Sequence, residues 1–147
     1  MKIVFQIHYK DLAIPSQKEM KRWIETALFP KKQAQVTVRM VDIKEIKSLN
    51  QSFRQKNKIT DILSFPFEAP FGFETDLLGD IVICPQKIIL DAKKQHKKIK
   101  HHFAHLLIHG SLHLLGFDHK SEKDARVMMA KEIRLLKKFN IPNPYLE

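Results

Sequence analysis

The stretch HGSLHLLGFDH, residues 109–119, carries three histidines in a run that begins with helical spacing and breaks at a glycine. On a helix, His109 and His113 would sit about 40° apart around the axis and roughly 6 Å apart along it, so both rings could reach one point. That pair alone is common. Gly116 sharpens the pattern, because glycine leaves the helical region of backbone space at little cost and can turn the chain so that His119 returns toward the other two. Three neutral imidazoles leave a tetrahedral ion one open position, as in a catalytic rather than a structural site. His109, His113 and His119 are the expected ligands of one divalent metal ion. Zinc is the default, although imidazole cages also accept nickel, cobalt or copper.

Seven of the eight histidines fall between positions 96 and 119, so the alternatives matter. His102, His105, His109 and His113 share one helical face, but only the set 109, 113 and 119 has a glycine placed to redirect its third member. His105 is expected to pack or to support a ligand from behind. His101 and His102 are expected to be solvated or to face substrate. Asp118 is expected to orient a ligand imidazole or to hold the turn.

The spacing also follows the HExxHxxGxxH pattern of metzincin proteases at every fixed position but the second, where Gly110 replaces glutamate. That change removes the carboxylate that would deprotonate a metal-activated water and shuttle its proton to a leaving amine. A phosphodiester depends less on such a base, because charge stabilisation on the phosphoryl oxygens carries much of the catalysis.

Working outward from this stretch, Lys2 to Tyr9 places Ile3, Phe5 and Ile7 on one face and reads as a strand. Ser16 is the expected N-cap of a helix that turns Met20, Trp23, Ile24, Ala27 and Leu28 inward until Pro30. Gln35 to Asp42 alternates again, and strand, helix, strand predicts a parallel pair. Asp42 caps a second helix over about 43–54. TDILSFPF (60–67) and LGDIVICP (78–85) read as two strands joined by a hairpin loop or flap. Helices are expected over about 86–97, 99–115 and 121–139, with Met128, Met129, Ile133 and Leu136 as a packing face and Asn140, Pro142 and Pro144 ending the order. The sum is about four strands and about five helices in one domain, residues 1–147.

With 44% apolar residues the chain can build one core, and 26 Lys plus Arg against 16 acids give a formal net charge of +10. Such an excess suits a polyanionic partner. The charge is uneven: residues 59–86 hold five acids and no Lys or Arg, whereas 92–117 hold five Lys, six His and no acid. Lys93, Lys94 and Lys97 are expected to line a phosphate-facing rim, and Lys56 and Lys58 add charge beside Arg54. Phe71 and Phe73 could stack bases, although core packing accounts for most phenylalanines of that segment. One cysteine, Cys84 in an apolar run, fits a reducing, cytoplasmic setting and a packing role. No apolar run approaches a membrane span or a signal peptide.

Taken together, HGSLHLLGFDH, TDILSFPF and LGDIVI resemble the YbeY family of endoribonucleases, the ribosomal RNA maturation factors, over nearly the whole chain. The resemblance implies a zincin-like α/β fold with a small mixed sheet. It also implies a metal-dependent endonuclease specific for single-stranded RNA, acting in small-subunit ribosomal RNA maturation and ribosome quality control alongside small-subunit assembly components. In the family pattern the arginine before the TDxLSFPF strand is catalytic, and here it is Arg54, in LNQSFRQKNKITD. Asn57 stands where the family's RxKD carries an acid, so no carboxylate role transfers there. The general base is unassigned.

Two other readings remain open at this stage. One is a non-proteolytic metallohydrolase of another substrate class. The other is a ribosome-assembly binding protein whose metal is structural.

Overall fold

Ser16 accepts the Glu19 backbone N–H at 3.2 Å and Asp42 accepts that of Glu45 at 2.8 Å, so the first two helices begin where their capping side chains stand. The computed structural model describes residues 1–29 and 31–146, and the expected helix stop at Pro30 lies outside them. The chain runs β1 (Lys2–Ile7), α1 (Gln17–Ala27), β2 (Gln35–Met40), α2 (Ile43–Arg54), β3 (Ile62–Pro66), β4 (Leu77–Ile83), α3 (Pro85–Lys94), α4 (Ile99–Leu114) and α5 (Glu122–Lys137). The expected four strands and five helices are all present.

The sheet has the order β1-β2-β4-β3. β1 and β2 are parallel, as strand, helix, strand requires, and β2 and β4 are parallel as well. β3 runs antiparallel to β4, with Ser64 opposite Ile81, and forms an edge. Pro66 closes β3, where a residue without an N–H leaves no interior ladder broken.

Side chains alternate across β4. Ile81 and Ile83 join the large core with α1 and α4, whereas Val82 and Cys84 join a smaller cluster with Val41, Ile46 and Leu63 beneath α2. Helices therefore cover both faces, and Cys84 is fully buried as a small hydrophobe.

α4 is apolar on most sides, with Phe103, Leu107, Ile108 and Leu112 fully buried, because it packs against α1, α3, α5, β3 and β4 together. Each of these side chains contributes about 1.5–3 kcal/mol by leaving water. The central helix is thus the one that carries the histidines.

Residues after α5 do not end the order as expected. Asn140 adopts a positive φ of 59°, which stops the helix, and Ile141 returns to the core. The tail then lies back over the molecule, held where Lys97 Nζ donates to the Pro144 carbonyl at 2.8 Å. Pro142 and Pro144 follow the helix end without releasing the chain.

Candidate metal centre

α4 ends in a Schellman turn. The Gly116 N–H bonds the His113 carbonyl at 3.0 Å and the Phe117 N–H bonds that of Leu112 at 3.1 Å, with Gly116 at φ +102°. This turn redirects the chain and carries His119 back over the helix end. Ring centroids lie 4.6 Å apart for His109 and His113, 5.1 Å for His113 and His119, and 5.9 Å for His109 and His119. One nitrogen from each ring falls within 4.8 Å of the others, close enough to hold one ion.

The rings suit a cation chemically. Burial lowers the His113 pKa, helped by its neighbours His109 and His119, and the neutral form is the one that ligates. The Nε2 atoms of His109 and His113 face one another at 3.1 Å. Both also sit near the C-terminal end of α4, where the helix dipole favours positive charge.

Behind the cluster stands Glu132 of α5, a residue that apolar periodicity alone did not single out. Its side chain is 1% exposed. Oε2 lies 3.1 Å from His109 Nδ1, while Oε1 lies 2.6 Å from His105 Nε2 and accepts the Tyr145 hydroxyl at 2.6 Å. Burial alone would raise the Glu132 carboxyl, but hydrogen bonds from His105, His109 and Tyr145 outweigh it and bring the pKa to about 2. An ionised carboxylate only accepts, so His109 carries its proton on Nδ1 and turns the Nε2 lone pair outward. The available signal was position: Glu132 falls four residues after Met128 and four before Leu136 on the packing face of α5, where an unpaired acid would be costly.

His105 stands behind the cluster, as expected. His102 does not match its expected exposure: it is 5% exposed and buried against α3, because α4 is enclosed on that side. Asp118 accepts the His119 backbone N–H at 2.7 Å and lies 4.0 Å from the His119 ring, so its visible contact is with the turn.

At the position of the protease glutamate, a side chain has almost no room. A Cβ on Gly110 would lie 2.8 Å from Ile62 Cδ1 and 3.0 Å from Ser64 Oγ. Glycine here lets the histidine helix approach the edge strand, and Ser64 Oγ donates to the Gly110 carbonyl at 3.4 Å. Arg54 reaches the same strand from the end of α2, donating from Nη2 to the Ser64 carbonyl at 3.0 Å. Ser64 thus links Arg54 to the residue beside His109.

The expected basic rim is only partly free. Lys56, Lys58, Lys93 and Lys94 are exposed, but Lys97 is partly covered and engaged with the tail. Lys94, Lys97, His101, His105 and Tyr145 help line a groove of about 1080 Å³ between the start of α4 and the tail. Phe71 and Phe73 are well exposed in the β3–β4 loop, so core packing does not account for them.

The family model described as "Endoribonuclease YbeY" matches residues 5–140. The chain belongs to the YbeY endoribonuclease family. It is 42% identical to the Endoribonuclease YbeY of Colwellia psychrerythraea over 150 aligned residues, covering 99% of this chain and 97% of that protein. The solution structure of TM1509 from Thermotoga maritima superposes with a TM-score of 0.65 at 28% identity, covering 92% of this chain and 87% of that one. Family membership makes the chain an RNA hydrolase and gives the mixed sheet a solved counterpart. No helix among the described residues is long and apolar enough to cross a membrane.

Proposed function

We propose that this YbeY-family chain, acting as one domain, cleaves single-stranded RNA with one divalent ion, zinc by default, held by His109, His113 and His119. The observation that carries the reading is the convergence of three imidazoles beside the strand that Arg54 grips. When bound, the ion supplies Lewis acidity and lowers the pKa of water at its open position. Glu132 fixes the His109 tautomer, and the Schellman turn at Gly116 presents His119.

Arg54 spends one N–H on Ser64 and keeps others of its fork for phosphate oxygens, where a guanidinium stabilises developing negative charge. Lys56 and Lys58 extend that charge along the backbone of the substrate. Lys93 and Lys94, exposed at the end of α3, add further positive charge, and the exposed Phe71 and Phe73 offer faces for unpaired bases. The substrate is ribosomal RNA, in small-subunit maturation and ribosome quality control, with small-subunit assembly components as partners. Support for this last step comes from the family's motifs together with the net charge of +10.

The test is cleavage of a labelled single-stranded RNA beside a duplex control, by metal-replete protein, chelated protein, Arg54→Ala and His113→Ala. Cleavage of the single strand alone, lost on chelation and in both variants, is the expected result. Full cutting by both variants would place the activity elsewhere.

A further inference from the structure

A second cluster of metal-ligating side chains, apart from the three histidines above, gathers where the start of β3, α3 and α4 meet. Asp61, just before β3, Asp91 of α3 and His102 of α4 bring one oxygen, one oxygen and one nitrogen within 4.8 Å of one another. His102 is 5% exposed, and neither of its ring nitrogens has a hydrogen-bond partner. A buried imidazole with both nitrogens unsatisfied is costly, and native structures seldom leave such a group without a reason.

We propose that Asp61, Asp91 and His102 form a second divalent-cation site, distinct from the His109–His113–His119 cluster. Two carboxylates balance the charge of a divalent ion, and one imidazole with two oxygens suits manganese, iron or zinc. Metal bonds of about 2.1 Å place neighbouring donor atoms roughly 3–4 Å apart, so the side chains need close in only slightly. Lys87 Nζ donates to Asp91 Oδ1 at 2.9 Å, and a carboxylate can keep that partner on one oxygen while offering the other. Burial and, to a lesser degree, the neighbouring Asp91 charge raise the Asp61 pKa, and a cation between the two carboxylates would relieve their repulsion.

His102 and His109 are seven positions apart on α4, about 10 Å along the helix. That exceeds the roughly 3.5–4 Å of paired ions acting on one phosphate. The second ion is therefore structural. It ties the start of β3 to α3 and α4, and so holds the strand whose Ser64 receives Arg54.

The experiment counts zinc bound by the full chain after chelation, reloading and gel filtration, in wild type, Asp91→Asn, His102→Gln and His113→Ala, with circular dichroism as a check on folding. Two ions in wild type and one in each variant are expected, the His113→Ala protein losing the other ion. One ion in wild type even at millimolar zinc would overturn the proposal, leaving the carboxylates to share a proton. Two ions persisting in both Asp91→Asn and His102→Gln would overturn it as well, by placing the second ion elsewhere. The wild-type count decides even if a variant misfolds, and it is independent of whether the protein cuts RNA.

Discussion

Glu132 on α5 and His109 on α4 meet at 3.1 Å, carboxylate oxygen to Nδ1, and that contact sets which nitrogen His109 turns outward. Partners behind a metal ligand typically carry a 10–100-fold effect on affinity. Glu132→Ala should weaken metal binding by about that factor, and Glu132→Gln, which keeps one acceptor, should fall between. Competition with a chromophoric chelator reads both directly. Equal affinity in all three proteins would reduce Glu132 to a packing residue.

Gly110 separates closeness of packing from chemistry. In Gly110→Ala the overpacking of about 1–3 kcal/mol is partly relieved, since Ile62 Cδ1 and Ser64 Oγ can rotate away, and helix propensity returns up to about 1 kcal/mol. The net change should stay within about 1 kcal/mol. Gly110→Glu should cost more than about 3 kcal/mol and create no peptidase. Urea melts and a fluorogenic peptide check the two halves.

His102 predicts a loss of stability in acid for metal-free protein. Burial, with the nearby His105 and Lys97 charges, lowers its pKa from 6.5 to about 4, against a smaller opposing pull from Asp91. Unfolded protein takes up that proton near pH 6.5 and folded protein only near 4. The stabilisation is therefore complete above 6.5 and is lost as the pH falls toward 4, by on the order of 2–3 kcal/mol. His102→Gln should show a flatter stability profile over that window in chelated samples. An unchanged slope would show that other groups dominate.

Phosphate contacts declare themselves in salt. Lys93→Ala and Lys94→Ala should each reduce the slope of log affinity against log salt by about 0.7 for single-stranded RNA. Lys97→Ala should change it less, because its ammonium already serves the Pro144 carbonyl. A larger slope change at Lys97 than at Lys93 and Lys94 would mean that the tail yields to RNA.

Much of this was legible in the residues. Ser16 and Asp42 announced helix starts, alternation announced β1 and β2, and Gly116 announced the turn that assembles the histidines. What escaped was long-range. Glu132 lies 23 residues from His109 and Asp61 lies 41 from His102, and no local periodicity reports which faces of distant elements will meet. The tail escaped for a related reason: prolines signal the end of a helix, while the attachment of Tyr145 to Glu132 is a tertiary event. Arg54 is singled out by the family's motif alone, because by local pattern it is an ordinary arginine at a helix end.

The turn at Gly116 has a thermodynamic consequence. Because it gathers all three histidines from within eleven residues, the unfolded chain already holds them close together and can capture an ion weakly. An ion that binds both states stabilises the fold by less than its native affinity alone would imply. Residues 61, 91 and 102 meet only once the sheet and two helices are in place, so an ion there would add nearly its full binding free energy to the melting transition. Of two ions bound with equal affinity, the one at Asp61 would raise Tm more.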